Sequence, residues 1–133
     1  MGNISENFTW KEFECHGKKC CGHKCYVEHR LLGGLEELRA ALRRKYKGRD
    51  IKLVVNSGYR CVKHNEEVGG NPNSFHLQGM AADVVPVGCT IKELVDQAES
   101  MRVFSEGGIG IYDTFVHLDT RYNGPARWEK KGQ

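Results

Sequence analysis

Between Glu28 and Lys47, Leu31, Leu35, Leu38, Leu42 and Tyr46 recur at three- and four-residue steps, while Glu36, Arg39, Arg43 and Lys47 take the other faces. That spacing predicts an amphipathic helix over about residues 28–47, despite Gly33 and Gly34. The pattern then changes. IKLVVNSGYR sets β-branched residues ahead of a Ser-Gly turn, so Ile51–Val55 is expected to be a strand, with Tyr59 and Arg60 opening a loop. Glycine, asparagine and proline crowd Gly69–Asn73, which reads as loop. Met80–Val85 is expected to form a second strand, Thr90 to cap a helix reaching about Met101, and Ile109–Asp119 to supply one or two more strands. Ahead of these, Thr9 can cap a short helix in the aromatic stretch Asn7–Phe13, with Glu12 closing a capping box.

The chain has 133 residues, 39% of them hydrophobic, and no repeat or linker, which predicts one domain over 1–133 with a frayed tail from about 128. A net charge of +3, with both signs interspersed, gives no nucleic-acid footprint and leaves at most a mild attraction to anionic polymers. Apolar runs fall well short of the ~20 residues of a membrane helix, and MGNISENFTW lacks a basic start followed by an apolar stretch. The expectation is therefore a chain made in the cytoplasm, a monomer, without membrane association. Asn3 and Asn7 head two sequons that are then accidental.

Four of the six cysteines, Cys15, Cys20, Cys21 and Cys25, fall in a turn spanning about 13–27, with His23 among them. A chain this long without an export signal tilts toward reduced thiols or metal over disulfides. The donors suffice for a structural ion, but their spacing is not that of two clean knuckles, so metal, disulfides and free thiols all stay open. Cys61 and Cys89 could pair with each other or stay as buried thiols. A cysteine redox protein is disfavoured, because no Cys-x2-Cys follows a strand in a βαβ setting.

His76 lies in a glycine-bearing loop and Asp83 on the strand after it, where Ala81, Asp83 and Val85 share a face. Gly79 lets the backbone turn between them. His117 on a later strand could complete a three-ligand metal site, although on spacing alone a hydrogen-bonded structural histidine is the commoner case.

Larger blocks carry more information. SGYRC at 57–61, GGNPNSFHLQGMAADV at 69–84 and GIGIYDTFVHLDTR at 108–121 resemble the signature of the M15 peptidases, the D-alanyl-D-alanine carboxypeptidase type. The pattern SxHxxGxAxD is matched by Ser74, His76, Gly79, Ala81 and Asp83, and the late HxD element by His117 and Asp119. The likeness runs from about Phe8 to Tyr122. It implies an α+β fold, a small antiparallel sheet with helices packed on it and a zinc site on the sheet face, as in the zinc core of hedgehog domains. It also implies His76, Asp83 and His117 as zinc ligands, with water in the fourth position.

The same resemblance gives Arg60 the task of gripping substrate carboxylate or carbonyl groups, which its planar, permanently charged fork suits. Ser74 could offer its hydroxyl to substrate or simply cap its own loop. The chain departs from its relatives at the general base. Where they carry an acid three residues before the last zinc histidine, this chain has Thr114, and the nearby acids are Asp113 and Asp119. On a regular strand both would share the face of His117. Asp113 is slightly favoured as the base because it precedes the histidine, while Asp119 could instead orient a ligand. The implied function is zinc-dependent hydrolysis of peptidoglycan stem peptides containing D-amino acids, by a carboxypeptidase or an endopeptidase. The expected setting is a phage or prophage endolysin reaching the wall after lysis or holin release. The rival is a non-catalytic zinc module that binds wall peptide or a protein partner.

Overall fold

The computed structural model describes residues 2–130. A short hairpin, β1 (Asn3–Ser5) and β2 (Phe8–Thr9), leads into α1 (Trp10–Phe13). The capping box is present: the Thr9 hydroxyl accepts from the Glu12 N–H, and Glu12 Oε1 accepts from the Thr9 N–H at 2.8 Å. Glu12 Oε2 accepts from the Val55 N–H at 2.8 Å, which pins α1 to the main sheet.

The leucine stripe becomes α2 (His29–Lys45), with Leu31, Leu35, Leu38 and Leu42 all buried. The main sheet is built from β3 (Lys52–Ser57), β4 (Ala81–Val87), β5 (Gly108–Ile111), β6 (Val116–Asp119) and β7 (Ala126–Glu129). Between them lie α3 (Val62–Glu67), a 3-10 turn (Phe75–Gln78), α4 (Ile91–Glu99) and α5 (Arg102–Ser105). Thr90 and Glu93 form a second capping box at the start of α4, as its sequence predicts. Among the described residues, no helix is long and apolar enough to cross a membrane.

Strand order is β3-β4-β6-β5-β7, antiparallel throughout except for the parallel pair β5–β7. The expected α+β fold, helices packed on a sheet, is the one the chain adopts, and the main sheet departs from antiparallel pairing only at its β5–β7 edge. The reason is topological: β7 reverses direction after β6, lands on the outer edge of β5 and so shares its direction. The tail is corrected. Trp128 and Glu129 belong to β7, while residues 131–133 of the expected frayed tail lie outside the described residues. Residues 109–119 form two strands broken by a turn in which the Tyr112 N–H donates to Phe115 O at 3.0 Å. The sheet is two-faced. Val55, Ala82, Val84, Val116 and Leu118 meet the buried faces of α2, α4 and α5 in one core, so their strand neighbours point the other way.

Glu36 ties the hairpin to α2 by accepting from Ser5 Oγ at 2.6 Å and from the Asn7 N–H and Nδ2, both at 2.7 Å. Partial burial opposes its charge, but these hydrogen bonds outweigh that and hold its carboxyl below the usual range. With the folded value depressed, its contribution is present above the unfolded pKa and is lost as pH falls through the folded one. Glu36→Gln is expected to cost about 1–3 kcal/mol at neutral pH and less in acid, as checked by urea melts at both pH values.

Candidate active site

On the face away from the core, one row of cross-strand partners runs Ser57, Asp83, His117, Gly110 and Trp128 over β3, β4, β6, β5 and β7. The next row holds Ala81, Asp119, Gly108 and Ala126. Two glycines make room there. A Cβ on Gly110 would lie 2.3 Å from the Trp128 indole, and one on Gly108 would lie 2.3 Å from Asp119 Oδ2.

His76 comes to this face from the 3-10 turn. Ser74 Oγ caps that turn by accepting from the His76 N–H at 3.1 Å, and Gly79, at φ +70°, closes it in the left-handed region. The local part of the SxHxxG pattern is therefore a capped single turn.

His76 Nδ1 lies 2.7 Å from Gly58 O, and a carbonyl can only accept, so Nδ1 carries the proton. His76 Nε2 then offers a lone pair, 3.2 Å from Asp83 Oδ1. His117 Nε2 lies 2.7 Å from Asp119 Oδ2 and donates to it, which leaves Nδ1 as a lone pair, also 3.2 Å from Asp83 Oδ1. In each histidine one nitrogen is held by a protein acceptor and the other faces the carboxylate, which is how ligating histidines are fixed in tautomer. All three residues are buried, at 2%, 6% and 8% exposure for His76, Asp83 and His117.

Burial pushes the His76 pKa down and keeps the ring neutral. Burial works the same way on His117, but the hydrogen bond to Asp119 and the neighbouring Asp83 carboxylate outweigh it and raise the pKa. Burial opposes ionisation of Asp83, yet its close contacts with His117 and His76 overcome it and hold the carboxyl well below the usual range. With both rings neutral and in these tautomers, two lone pairs and a negative charge converge on one buried point, an arrangement that a cation satisfies. The donor set fits a divalent ion held by two imidazoles and one carboxylate.

Arg60 sits against this triad with its side chain 15% exposed. Its Nη2 donates to Asp83 Oδ2 at 3.3 Å, its Nε to Ser57 Oγ at 3.2 Å and its Nη1 to Asn65 Oδ1 at 3.2 Å. Asn65, only 2% exposed, had no signal in the sequence, where it reads as one more polar residue between Arg60 and the Gly69–Asn73 loop. Arg121 grips Asp119 bidentately, Nε to Oδ1 at 2.9 Å and Nη2 to Oδ2 at 2.7 Å, and lies over the Phe75 ring at 4.7 Å. A cleft of about 1070 Å³ opens over the triad, walled in part by Arg60, Tyr112, Phe115, Arg121, Tyr122 and Trp128.

The two candidate bases occupy different settings. Asp113 lies exposed in the turn between β5 and β6 and does not line the cleft, because the strand expected to carry it past the metal is broken there. Asp119 is fully buried and accepts from the Gly108 N–H, the Arg121 N–H, Nε and Nη2, and His117 Nε2. Burial opposes its charge, but the hydrogen bonds from His117 and Arg121 hold its pKa well below the usual range.

The cysteines divide differently from the sequence expectation. Cys15, Cys20, Cys21 and Cys61 bring their sulfurs within 4.8 Å of one another, whereas Cys25 and Cys89 pack against the core. Cys61 takes the place expected of Cys25, and the alternative Cys61–Cys89 pair does not form. The His64 N–H donating to its sulfur draws Cys61 down to about 7.

Fold and site together define a two-histidine, one-aspartate centre on the open face of a helix-backed sheet. A sequence model of the Peptidase M15 family matches residues 6–119, and the chain belongs to that family. It is also similar to the probable peptidoglycan L,D-endopeptidase MepK of Haemophilus influenzae, 35% identical over 86 residues. That alignment takes in 59% of this chain and 43% of the relative, so the chain spans less than half of the relative's length.

Proposed function

We propose that this chain is a zinc-dependent peptidase that cuts the D-amino-acid-containing stem peptides of peptidoglycan. The observation that carries the reading is the convergence of His76 Nε2, His117 Nδ1 and Asp83 Oδ1, with both outer imidazole nitrogens held by protein acceptors. The name of the similar Haemophilus protein supports the substrate class. An open cleft of about 1070 Å³ over the triad has room for a length of peptide.

Zinc bound by the triad would supply a Lewis acid and an activated water at neutral pH. Asp119 and the Gly58 carbonyl hold the two imidazoles in the ligating tautomer. Arg60 spends three of its five N–H groups on Ser57, Asn65 and Asp83, which leaves two for a substrate carboxylate or a developing oxyanion. The Tyr112 hydroxyl accepts from Trp128 Nε1 at 3.2 Å and keeps its own proton for a substrate oxygen or leaving nitrogen. Ser74 lines the cleft while capping the His76 turn, so both roles open to it in the sequence are compatible with its position.

One observation favours a second reading, a zinc module that binds wall peptide without cutting it. Among the described residues lining the cleft, Asp83 is the only carboxylate, and it is shared by His76, His117 and Arg60. Incubating the zinc-loaded protein with purified peptidoglycan and identifying the released fragments by mass spectrometry separates the readings. New peptide termini support the enzyme, and the bond cut tells endopeptidase from carboxypeptidase. Sedimentation with the wall and no new terminus supports the binding module.

Arg60→Lys is expected to keep the fold and the metal while lowering kcat/KM about 30- to 1,000-fold, the cost of about 2–4 kcal/mol for one charged contact in a dry site. Near-normal turnover in that variant would remove Arg60 from the reaction.

A further inference from the structure

We propose that Cys15, Cys20, Cys21 and Cys61 hold a second, structural zinc ion that clamps the cysteine-rich loop to the base of Arg60. The sulfur geometry comes first. Cys15 Sγ lies 3.8 Å from both Cys20 Sγ and Cys61 Sγ, and Cys20 Sγ lies 3.9 Å from Cys21 Sγ. Four thiolates at ~2.3 Å from a tetrahedral zinc stand about 3.8 Å apart, so these three separations match a closed S4 site, and the remaining sulfur pairs lie within 4.8 Å. No two sulfurs are bonded, since all six cysteines are free thiols.

Backbone donors are already aimed at the sulfurs. The Lys24 N–H points to Cys21 Sγ and the His64 N–H to Cys61 Sγ, each at 3.4 Å, the same three-residue relation on both sides of the cluster. Such N–H groups offset thiolate charge when four protons leave to solvent on metal binding. The chain also bends to bring the donors in. Gly22 and His23 both take positive φ, +75° and +60°, and His23 is the one described non-glycine residue that does so. The Cys15 N–H donates to Lys24 O at 2.7 Å and closes this loop on itself. A Cβ on Gly17 would lie 2.4 Å from Cys20 Sγ, so the loop backbone already abuts the cluster.

The position of Cys61 gives the clamp its consequence. It follows Arg60, whose N–H donates to His76 O at 3.1 Å and whose guanidinium reaches Asp83. Without an anchor, the segment from Gly58 to Cys61 depends on a few hydrogen bonds. With one, the residue next to the arginine along the chain, Cys61, would be held by the ion, and Arg60 with it. Iron takes the same tetrahedral thiolate set, but zinc is redox-inert and suits a purely structural clamp.

The test uses the whole chain carrying His76→Ala, which empties the histidine site and makes the result independent of the peptidase reading. The expected result is about one zinc per chain by elemental analysis after gel filtration, lost when Cys61→Ser is added and kept when Cys25→Ser is added. Cobalt substitution of His76→Ala is expected to give thiolate-to-cobalt charge-transfer bands. This needs no cysteine variant and holds even if Cys61→Ser fails to fold. The assignment is overturned by a metal-free protein whose cluster thiols titrate freely, or by an intact mass lowered by the hydrogens that disulfides remove. Iron in place of zinc, or loss of metal on Cys25→Ser with retention on Cys61→Ser, would overturn it too.

Discussion

His76→Ala is expected to lose the histidine-site zinc and to hydrolyse peptidoglycan at least about a thousandfold more slowly than the native protein. Lewis-acid catalysis is worth several kcal/mol, and each ~1.4 kcal/mol is tenfold in rate. Alanine at 76 removes one of three protein ligands, leaves Gly58 O without its imidazole partner and leaves Asp83 Oδ1 with His117 alone. His117→Ala is expected to behave alike. Both variants should keep the fold, because the core packs on the opposite face of the sheet from the triad. Thermal melts followed by circular dichroism check that, while elemental analysis and fragment release check the site. Unchanged zinc and turnover in His76→Ala would sink the metal assignment and the mechanism with it.

What could be read from the sequence was local. The α2 stripe and the two capping boxes are set by residues three or four apart, and each appears where the pattern puts it. The elements that escaped notice, β1, β2, α3, the Phe75–Gln78 turn, α5 and β7, are two to six residues long, too short for a hydrophobic period to show. The Phe75–Gln78 turn is held by its cap and Gly79, and β7 by parallel pairing with β5.

The site divides in the same way. His76, Asp83 and His117 were visible through a motif, but the partners that fix their protons, Gly58 O and Asp119, follow from tertiary neighbours. Gly108 and Gly110 read as ordinary strand residues until the cross-strand register sets Asp119 and Trp128 over them. Cys61 joined the cluster through space, and no spacing rule applied within residues 15–25 could select it over Cys25. The misplaced aspartate has a similar origin. Strand alternation from His117 back to Asp113 assumed a regular strand, but β6 begins only at Val116, and Asp113 falls inside the Tyr112–Phe115 turn.

Asp119→Asn is expected to weaken zinc binding at the histidine site by about 10- to 100-fold, whereas Asp113→Asn should leave both zinc and turnover near native. Asparagine is close in size and can still accept from the Gly108 N–H, but its amide NH2 meets the His117 Nε2–H as one donor facing another. The imidazole relieves this by moving its proton to Nδ1, which blocks the lone pair that faces Asp83. Arg121 also loses the charge its fork grips, so the ring is held less firmly. Raising free zinc should restore part of the Asp119→Asn activity, since the defect lies in occupancy and orientation. Competition against a chromophoric chelator gives the affinity, and fragment release at saturating zinc gives the rate. If Asp113→Asn kept its zinc but lost hydrolysis, the turn would have to swing into the cleft and supply the base. If Asp119→Asn bound zinc as tightly as the native protein, Asp119 would not be what fixes the tautomer of His117.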